Sequence, residues 1–147
     1  MNKQAPTVFI VDDDASVRKA LQRLLVSRGY RVKSFADAAE CLVGAPMDGL
    51  GCLILDLRMP GMSGMELQQE LTAKGCDLPI VFLTGHGDLP SGVEAMKRGA
   101  VDFLQKPVDE TALFQALEQA LQRRQAALDE RDEQAAARAR FELLTPR

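Results

Sequence analysis

The chain has 147 residues, 46% of them apolar and 27% charged, with a formal net charge of −3 at pH 7. These values predict one packed domain with room for an appendage, and they exclude global disorder and a basic surface for nucleic acid. The three cysteines form no C-x-x-C pair, which argues against a disulfide or metal framework. Because the chain lacks an apolar leader and any apolar run of membrane-spanning length, we expect a soluble cytoplasmic protein with no membrane segment.

Five short runs have the composition of strands. They lie at residues 8–11, 31–35, 52–55, 80–83 and 101–104. Three of these runs are almost continuously apolar, which is typical of a parallel sheet that is covered on both faces. The run at 31–35 alternates more strongly between apolar and polar residues, and this pattern suits an edge strand.

Helical patterns separate these runs, and each pattern begins with a residue that favours the start of a helix. The start residues are Asp14, Asp37, Ser63, Pro90 and Asp109. Ser63 and Glu66 have the spacing of a capping box, and Gly29 and Gly75 mark where the first and third helices end. The sequence therefore predicts five successive strand–helix units.

Strict alternation of strands and helices predicts an α/β fold with a doubly wound, five-stranded parallel sheet. Right-handed crossovers restrict the topology, and we expect the flavodoxin-like strand order 2-1-3-4-5. Beyond about Leu121 the sequence still favours a helix but loses its large apolar residues, so we expect an extended C-terminal helix. In folds of this kind a site forms where the carboxyl ends of the strands meet, near the switch in strand order.

Polar residues follow four of the five predicted strands, at the point where each strand ends. They are Asp12, Asp13 and Asp14 after the first strand, Asp56 after the third, Thr84 after the fourth and Lys106 after the fifth. In the predicted order these four strands are neighbours, so their carboxyl ends converge at one rim. Crowded carboxylates repel one another, and a hard divalent cation such as Mg²⁺ relieves that repulsion with oxygen ligands alone.

This set of residues suits phosphoryl transfer. A carboxylate can attack phosphorus to form an acyl phosphate, and a cation and an ammonium group can stabilise the charge of the transferring group. On this hypothesis Lys106 supplies the ammonium group and Thr84 a hydroxyl donor. Each residue alone also has an ordinary structural interpretation, since an aspartate after a strand often caps a helix, as Asp14 would. The joint pattern favours the phosphoryl site.

With these residues placed, residues 7–121 resemble the receiver domain of bacterial two-component response regulators. The resemblance rests on the acidic cluster and on the segments 55–64 (LDLRMPGMSG), 83–88 (LTGHGD) and 99–107 (GAVDFLQKP). The sequences of the segments 83–88 and 99–107 are most similar to those of the FixJ-like branch. Its members join a receiver through a helical linker to a LuxR-type helix-turn-helix domain. The resemblance therefore implies a receiver at 1–122, a helical linker at 123–140 and, at 141–147, the start of an output domain that is otherwise missing.

The resemblance also implies an acceptor and a set of ion ligands. Asp56 is the nucleophile that accepts a phosphoryl group from the phosphohistidine of a sensor histidine kinase. The implied cofactor is Mg²⁺, bound directly by Asp13, by Asp56 and by the backbone carbonyl of Arg58. Asp12 is the other matched acidic position and is implied to act through an intervening water molecule.

The remaining implied roles concern the response to phosphorylation. Thr84 moves to bond a phosphoryl oxygen, Lys106 pairs with the phosphoryl group, and Phe103 turns inward as an aromatic switch, although an aromatic residue in such a strand is ordinarily core. The Lys106–Pro107 bond is expected to be cis. The face made by helix 4, strand 5 and helix 5 would then rearrange and promote a homodimer, with DNA bound only through the output domain.

The chain is accordingly expected to be a signalling module with Mg²⁺-dependent self-phosphorylation and slow autodephosphorylation, rather than an enzyme. The only histidine, His86, is either an ordinary loop residue or, like Arg58, a residue that tunes dephosphorylation. A phosphohydrolase of the haloacid dehalogenase type would carry a second aspartate where Arg58 stands. A flavin-binding electron carrier would need a phosphate loop after the first strand, where three aspartates would repel phosphate.

Overall fold

The computed structural model describes residues 5–44, 48–85 and 88–144, and within them five strands alternate with five helices. The strands are β1 (Thr7–Val11), β2 (Arg31–Phe35), β3 (Gly51–Asp56), β4 (Ile80–Thr84) and β5 (Asp102–Gln105). The helices are α1 (Ala15–Ser27), α2 (Ala38–Val43), α3 (Gly64–Ala73), α4 (Leu89–Lys97) and α5 (Glu110–Leu144). Every predicted strand lies within one residue of the observed one.

The strands form one parallel sheet in the order β2-β1-β3-β4-β5, with β2 at one edge. This arrangement confirms the doubly wound α/β fold and the predicted strand order. The register pairs Val11 with Leu55 and Asp56 with Leu83, so the ends of β1, β3 and β4 are level with one another. The loops that follow β1, β3, β4 and β5 therefore meet at one rim of the sheet.

The hydrophobic core has two layers because alternate residues of each central strand face opposite sides of the sheet. Helices α2, α3 and α4 cover the layer that contains Leu55 and Phe82. Helices α1 and α5 cover the layer that contains Ile54 and Leu83. All four side chains are fully buried, and each such burial contributes about 1.5–3 kcal/mol. Burial on both faces explains why the central strands are apolar throughout.

The helix starts are those that the sequence predicts. The carboxylate of Asp14 accepts a hydrogen bond from the backbone N–H of Ser16 (2.9 Å), and Asp37 and Asp109 cap α2 and α5 in the same way. Ser63 and Glu66 form the complete capping box at α3. Pro90 lies in the first turn of α4. These local features fix the residue at which each helix begins.

Helix α5 continues without a break from Glu110 to Leu144, which confirms the extended C-terminal helix. Arg124 lies beyond its apolar turns, yet only 2% of this residue is exposed. The Arg124 guanidinium donates to the carbonyl of Gly49 (2.8 Å) and to the carboxylate of Asp77 (2.8 Å). Gly49 and Asp77 precede β3 and β4, so the extension is attached to the sheet at the end opposite the rim. The division at residues 122 and 140 stays a prediction.

We expect Arg124→Ala to lower the free energy of unfolding by about 2–3 kcal/mol, because it leaves the Gly49 carbonyl without this donor and removes a buried stem. Arg131→Ala is the matched control, since Arg131 pairs with the same Asp77 carboxylate but is half exposed. The control variant should lose less than about 1 kcal/mol. Urea denaturation of the full chain measures both values, and equal losses would contradict the buried attachment.

Candidate functional site

Asp56 is the last residue of β3, and its carboxylate lies at the bottom of the rim with only 5% of the residue exposed. Its Oδ1 accepts a hydrogen bond from the backbone N–H of Arg58 (3.2 Å). Helix α3 begins at Gly64 directly against this residue, and a Cβ at Gly64 would clash with the carbonyl oxygen of Asp56. Glycine at this position therefore allows the loop after Asp56 to fold tightly beneath the carboxylate.

Three carboxylates gather at this point. One oxygen from each of Asp12, Asp13 and Asp56 can be chosen so that the three lie within 4.8 Å of one another. Asp12 is completely buried and Asp13 is exposed, so the cluster has a buried floor and an open edge. The Oδ1 of Asp12 accepts from the backbone N–H of Asp14 (2.9 Å), and its Oδ2 faces Lys106. The structure therefore brings together three of the acids that the sequence places at this rim.

Lys106 supplies the positive charge that faces these acids. Its Nζ lies 2.9 Å from Oδ2 of Asp12 and 3.3 Å from Oδ2 of Asp56. Burial alone would lower the pKa of Lys106, but the two carboxylates outweigh that effect and the pKa is raised. The backbone N–H of Lys106 donates to the carbonyl of Thr84 (2.8 Å), and the Lys106–Pro107 bond is cis, as predicted.

The acidic charge is only partly compensated. Burial and the neighbouring Asp12 carboxylate raise the pKa of Asp56 from 3.8 to about 6, despite the opposing effects of Arg58 and Lys106. The Oδ2 of Asp12 is buried and accepts no hydrogen bond of good geometry from any residue in the described part of the chain, although Lys106 lies close to it. A site of this kind favours added positive charge at its open edge.

The donor set is suited to a hard divalent cation. The candidate ligands are carboxylate oxygens, and the three acids fall within the spacing that one ion can span. The uncompensated charge and the under-bonded Asp12 oxygen are the features that such an ion would satisfy. The residues present therefore fit a metal ion. That the backbone carbonyl of Arg58 also binds this ion stays a prediction.

Thr84 and Phe103 lie beside the cluster rather than in it. Thr84 is buried, and its hydroxyl donates to the carbonyl of Leu104 (3.4 Å). The partly buried ring of Phe103 packs against Gly92 of α4, where a Cβ would come within 2.5 Å of the ring. The switch roles predicted for Thr84 and Phe103 stay predictions, and His86 lies outside the described residues.

Two contacts of the rim have no signal in the sequence. Arg18 of α1 donates to the backbone carbonyl of Asp12 (2.6 Å) and so holds the loop after β1. Arg58 pairs with Asp88, which lies 30 positions further along the chain. A pair so distant in sequence can be inferred only once β3 and β4 are known to be neighbours. The directions of the Arg58 and Asp88 side chains have to be known as well.

The geometry of the rim agrees with a comparison against protein families. The model of the family described as "Response regulator receiver domain" matches residues 8–118. The chain belongs to this family. Receiver domains are signalling modules that sensor histidine kinases phosphorylate, so membership implies a kinase partner. In the described ranges of this receiver domain, no helix has both the length and the apolar character needed to cross a membrane.

Curated relatives of this receiver domain include transcriptional regulators. The transcriptional regulatory protein FixJ of Rhizobium meliloti (strain 1021) is 44% identical over 141 residues, which are 96% of this chain and 69% of that protein. The C4-dicarboxylate transport transcriptional regulatory protein DctD of the same strain is 43% identical over 138 residues, 94% of this chain and 30% of that protein. The response regulator protein TmoT of Ectopseudomonas mendocina is 47% identical over 121 residues, 82% of this chain and 55% of that protein. The receiver domain therefore spans only part of these longer relatives.

Solved structures agree with the family assignment. The response regulator StyR superposes with a TM-score of 0.89 at 50% identity, and the match covers 96% of this chain and 71% of that one. The structure titled FixJ-N superposes with a TM-score of 0.75 at 46% identity and covers 82% of this chain and 96% of that one. The FixJ-like resemblance is thus confirmed in both sequence and structure.

Proposed function

We propose that this receiver domain accepts a phosphoryl group on Asp56 from the phosphohistidine of a sensor kinase, assisted by Mg²⁺. The observation that carries the proposal is the meeting of Asp12, Asp13 and Asp56 at one rim, with the Lys106 ammonium 3.3 Å from the Asp56 carboxylate. A carboxylate at the bottom of an open acidic site can act as a nucleophile only where positive charge draws in the phosphoryl group.

Asp13 and Asp56 would hold the ion directly, with the Arg58 carbonyl, and Asp12 would hold it through water. When bound, Mg²⁺ would supply positive charge to the oxygens of the transferring group and offset the repulsion among the acids. The exposed Asp13 marks the side from which a phosphoryl group would approach. The combination of two buried acids and one exposed acid supports a site that admits a ligand from one side.

In the proposed step an oxygen of the Asp56 carboxylate attacks phosphorus as the bond between phosphorus and the donor histidine nitrogen breaks. The bonding electron pair leaves with that nitrogen, and the product is an acyl phosphate on Asp56. Lys106 would stay beside the phosphoryl oxygens, because its Nζ already lies 3.3 Å from Oδ2 of Asp56. Small acyl phosphates would serve as donors in the same way, and water would slowly hydrolyse the product.

The proposed response begins at Thr84. Its hydroxyl would leave the carbonyl of Leu104 and donate to a phosphoryl oxygen, and Phe103 would turn into the space that the threonine vacates. The ring of Phe103 contacts Gly92, so its movement would alter the surface of α4 and β5. We propose that this face then forms a homodimer.

The longer protein is proposed to be a transcription regulator. Its curated relatives FixJ and DctD carry that description, and this chain spans only part of each. Residues 123–140 would be a linker, and residues 141–147 would begin an output domain that alone binds DNA. The free cysteines Cys41, Cys52 and Cys76 support a reducing compartment, so we place the protein in the cytoplasm.

Incubation with acetyl phosphate tests the proposal. With Mg²⁺ we expect one phosphoryl adduct by intact-protein mass spectrometry and a larger dimer fraction by sedimentation velocity. With EDTA in place of Mg²⁺, neither should appear. An adduct of equal yield in EDTA would contradict the role of the ion, and an adduct without a change in sedimentation would contradict the dimer.

A further inference from the structure

Arg58 and Asp88 form a bidentate ion pair across the rim. The Nε of Arg58 lies 2.8 Å from Oδ2 of Asp88, and a terminal guanidinium nitrogen lies 3.0 Å from Oδ1. Arg58 follows Asp56 by two residues, and Asp88 follows Thr84 by four. The pair therefore joins the segment after the phosphoryl acceptor to the segment after the threonine that is proposed to move.

This contact differs from an ordinary surface ion pair. The side chain of Asp88 is only 8% exposed, although that of Arg58 is 77% exposed. Asp88 also stands directly before α4, where an aspartate ordinarily caps the first turn, yet it makes no side-chain cap bond. The hydrogen bond from Arg58 is the main reason why the pKa of Asp88 is lowered. The Asp88 carboxylate therefore joins Arg58 to the first turn of α4, where the hydroxyl of Ser91 also lowers its pKa.

The position of Asp88 connects three parts of the proposed switch. Its backbone carbonyl accepts from the N–H of Gly92 (3.2 Å), and the ring of Phe103 packs against that same glycine. Thr84, four residues earlier, donates a hydrogen bond from its hydroxyl to the carbonyl of Leu104 (3.4 Å). Holding Asp88 in place therefore holds the start of α4 and the glycine against which Phe103 packs.

We propose that Asp88 is a positioning residue for this phosphoryl site, which acts through its pair with Arg58 to hold Thr84 and α4 in the resting arrangement. The inference rests on the proposed function and adds a residue to it. In the resting state the pair stabilises the arrangement in which the Thr84 hydroxyl donates to the carbonyl of Leu104. Breaking the pair lowers the free-energy difference between the resting and switched arrangements, so a ligand that requires the switched arrangement binds more tightly.

The affinity of the full chain for beryllofluoride in the presence of Mg²⁺, measured by calorimetry, tests the proposal. We expect Asp88→Asn and Arg58→Gln each to bind about fivefold to thirtyfold more tightly than the unaltered chain. The double variant should bind no more tightly than either single variant, because both remove the same pair. Arg58→Gln changes an exposed side chain, so it keeps the test informative should Asp88→Asn fail to fold.

Glu94→Gln is the matched control. It breaks the pair between Glu94 of α4 and Arg98, the residue that directly follows this helix (3.1 Å). This pair joins no other segment, so its loss should leave the affinity unchanged. Unchanged or weaker binding by folded Asp88→Asn or Arg58→Gln would overturn the inference while leaving the proposed function intact. No binding by the unaltered chain would instead overturn the proposed function, and this inference with it.

Discussion

Asp56→Asn is expected to abolish the phosphoryl adduct completely, whereas Asp14→Asn should leave its yield unchanged. An amide at position 56 has no anionic oxygen to attack phosphorus. The neighbouring carboxylates lie at other positions of the rim and cannot take over as the nucleophile. Asp56 ends β3 at the bottom of the rim, and Lys106 lies 3.3 Å from its Oδ2. Intact-protein mass spectrometry after incubation with acetyl phosphate and Mg²⁺ measures the adduct in each variant.

Asp14 is a stringent control because it belongs to the same run of three aspartates. Its carboxylate accepts hydrogen bonds from the hydroxyl and the backbone N–H of Ser16, and these bonds lower its pKa. Asparagine can accept the same cap bonds, so Asp14→Asn should fold normally. An adduct that survives in Asp56→Asn, or one that disappears in Asp14→Asn, would show that the acceptor has been assigned to the wrong aspartate.

Removal of the same carboxylate should stabilise the metal-free protein. In EDTA at pH 7.5 we expect Asp56→Asn to raise the free energy of unfolding by about 1–3 kcal/mol. The upper figure follows from the rise in the pKa of Asp56 from 3.8 to about 6, and the lower one allows for screening by water at the open rim. Burial and the Asp12 carboxylate cause the rise, and both act only in the folded state.

The sign of the pH dependence follows from this pKa. The folded protein binds its proton on Asp56 up to about pH 6, whereas the unfolded chain releases it near 3.8. The unaltered protein therefore loses stability as the pH rises through this window, and the deficit is constant above it. Because asparagine does not ionise, the gap between the two proteins should be smaller at pH 4.5 than at pH 7.5.

Urea denaturation at both pH values measures the gap, and excess Mg²⁺ should narrow it at pH 7.5 by stabilising the unaltered protein more than the variant. Asp14→Asn again serves as the control, and it should show no gain in EDTA. A loss of stability in Asp56→Asn at pH 7.5 would mean that the acidic cluster is already compensated without an ion.

The two expectations describe one physical trade between stability and function. If every charge at the rim were paired, the folded protein would be more stable. Such a rim would have no unpaired charge with which to bind a cation and a phosphate. The buried Oδ2 of Asp12, which accepts no hydrogen bond in the described residues, and the raised pKa of Asp56 indicate that the negative charge at the rim is not fully compensated. Lys106 compensates only part of the negative charge, because its ammonium pairs with two of the three carboxylates.

The sequence by itself determined the elements of this fold and the identity of the acids at its rim. Apolar runs bounded by polar residues located all five strands to within one residue, and cap residues such as Asp14 and Ser63 located the helix starts. These signals are local, because burial on both faces and the satisfaction of helix ends act over a few residues. Strand order then brought Asp12, Asp56 and Lys106 together, since parallel strands end at one rim.

Only the tertiary structure decided which side chains pair across that rim and along the far edge of the sheet. Three such contacts are made by residue types that are common on any protein surface. They are Arg58 with Asp88, Arg18 with the Asp12 carbonyl, and Arg124 with Asp77. The sequence marked Arg124 as part of a polar extension, and its burial depends on loops that precede β3 and β4. A long charged side chain can reach many partners, so its actual partner depends on where the packed backbone places its Cα. No local sequence pattern indicates that position.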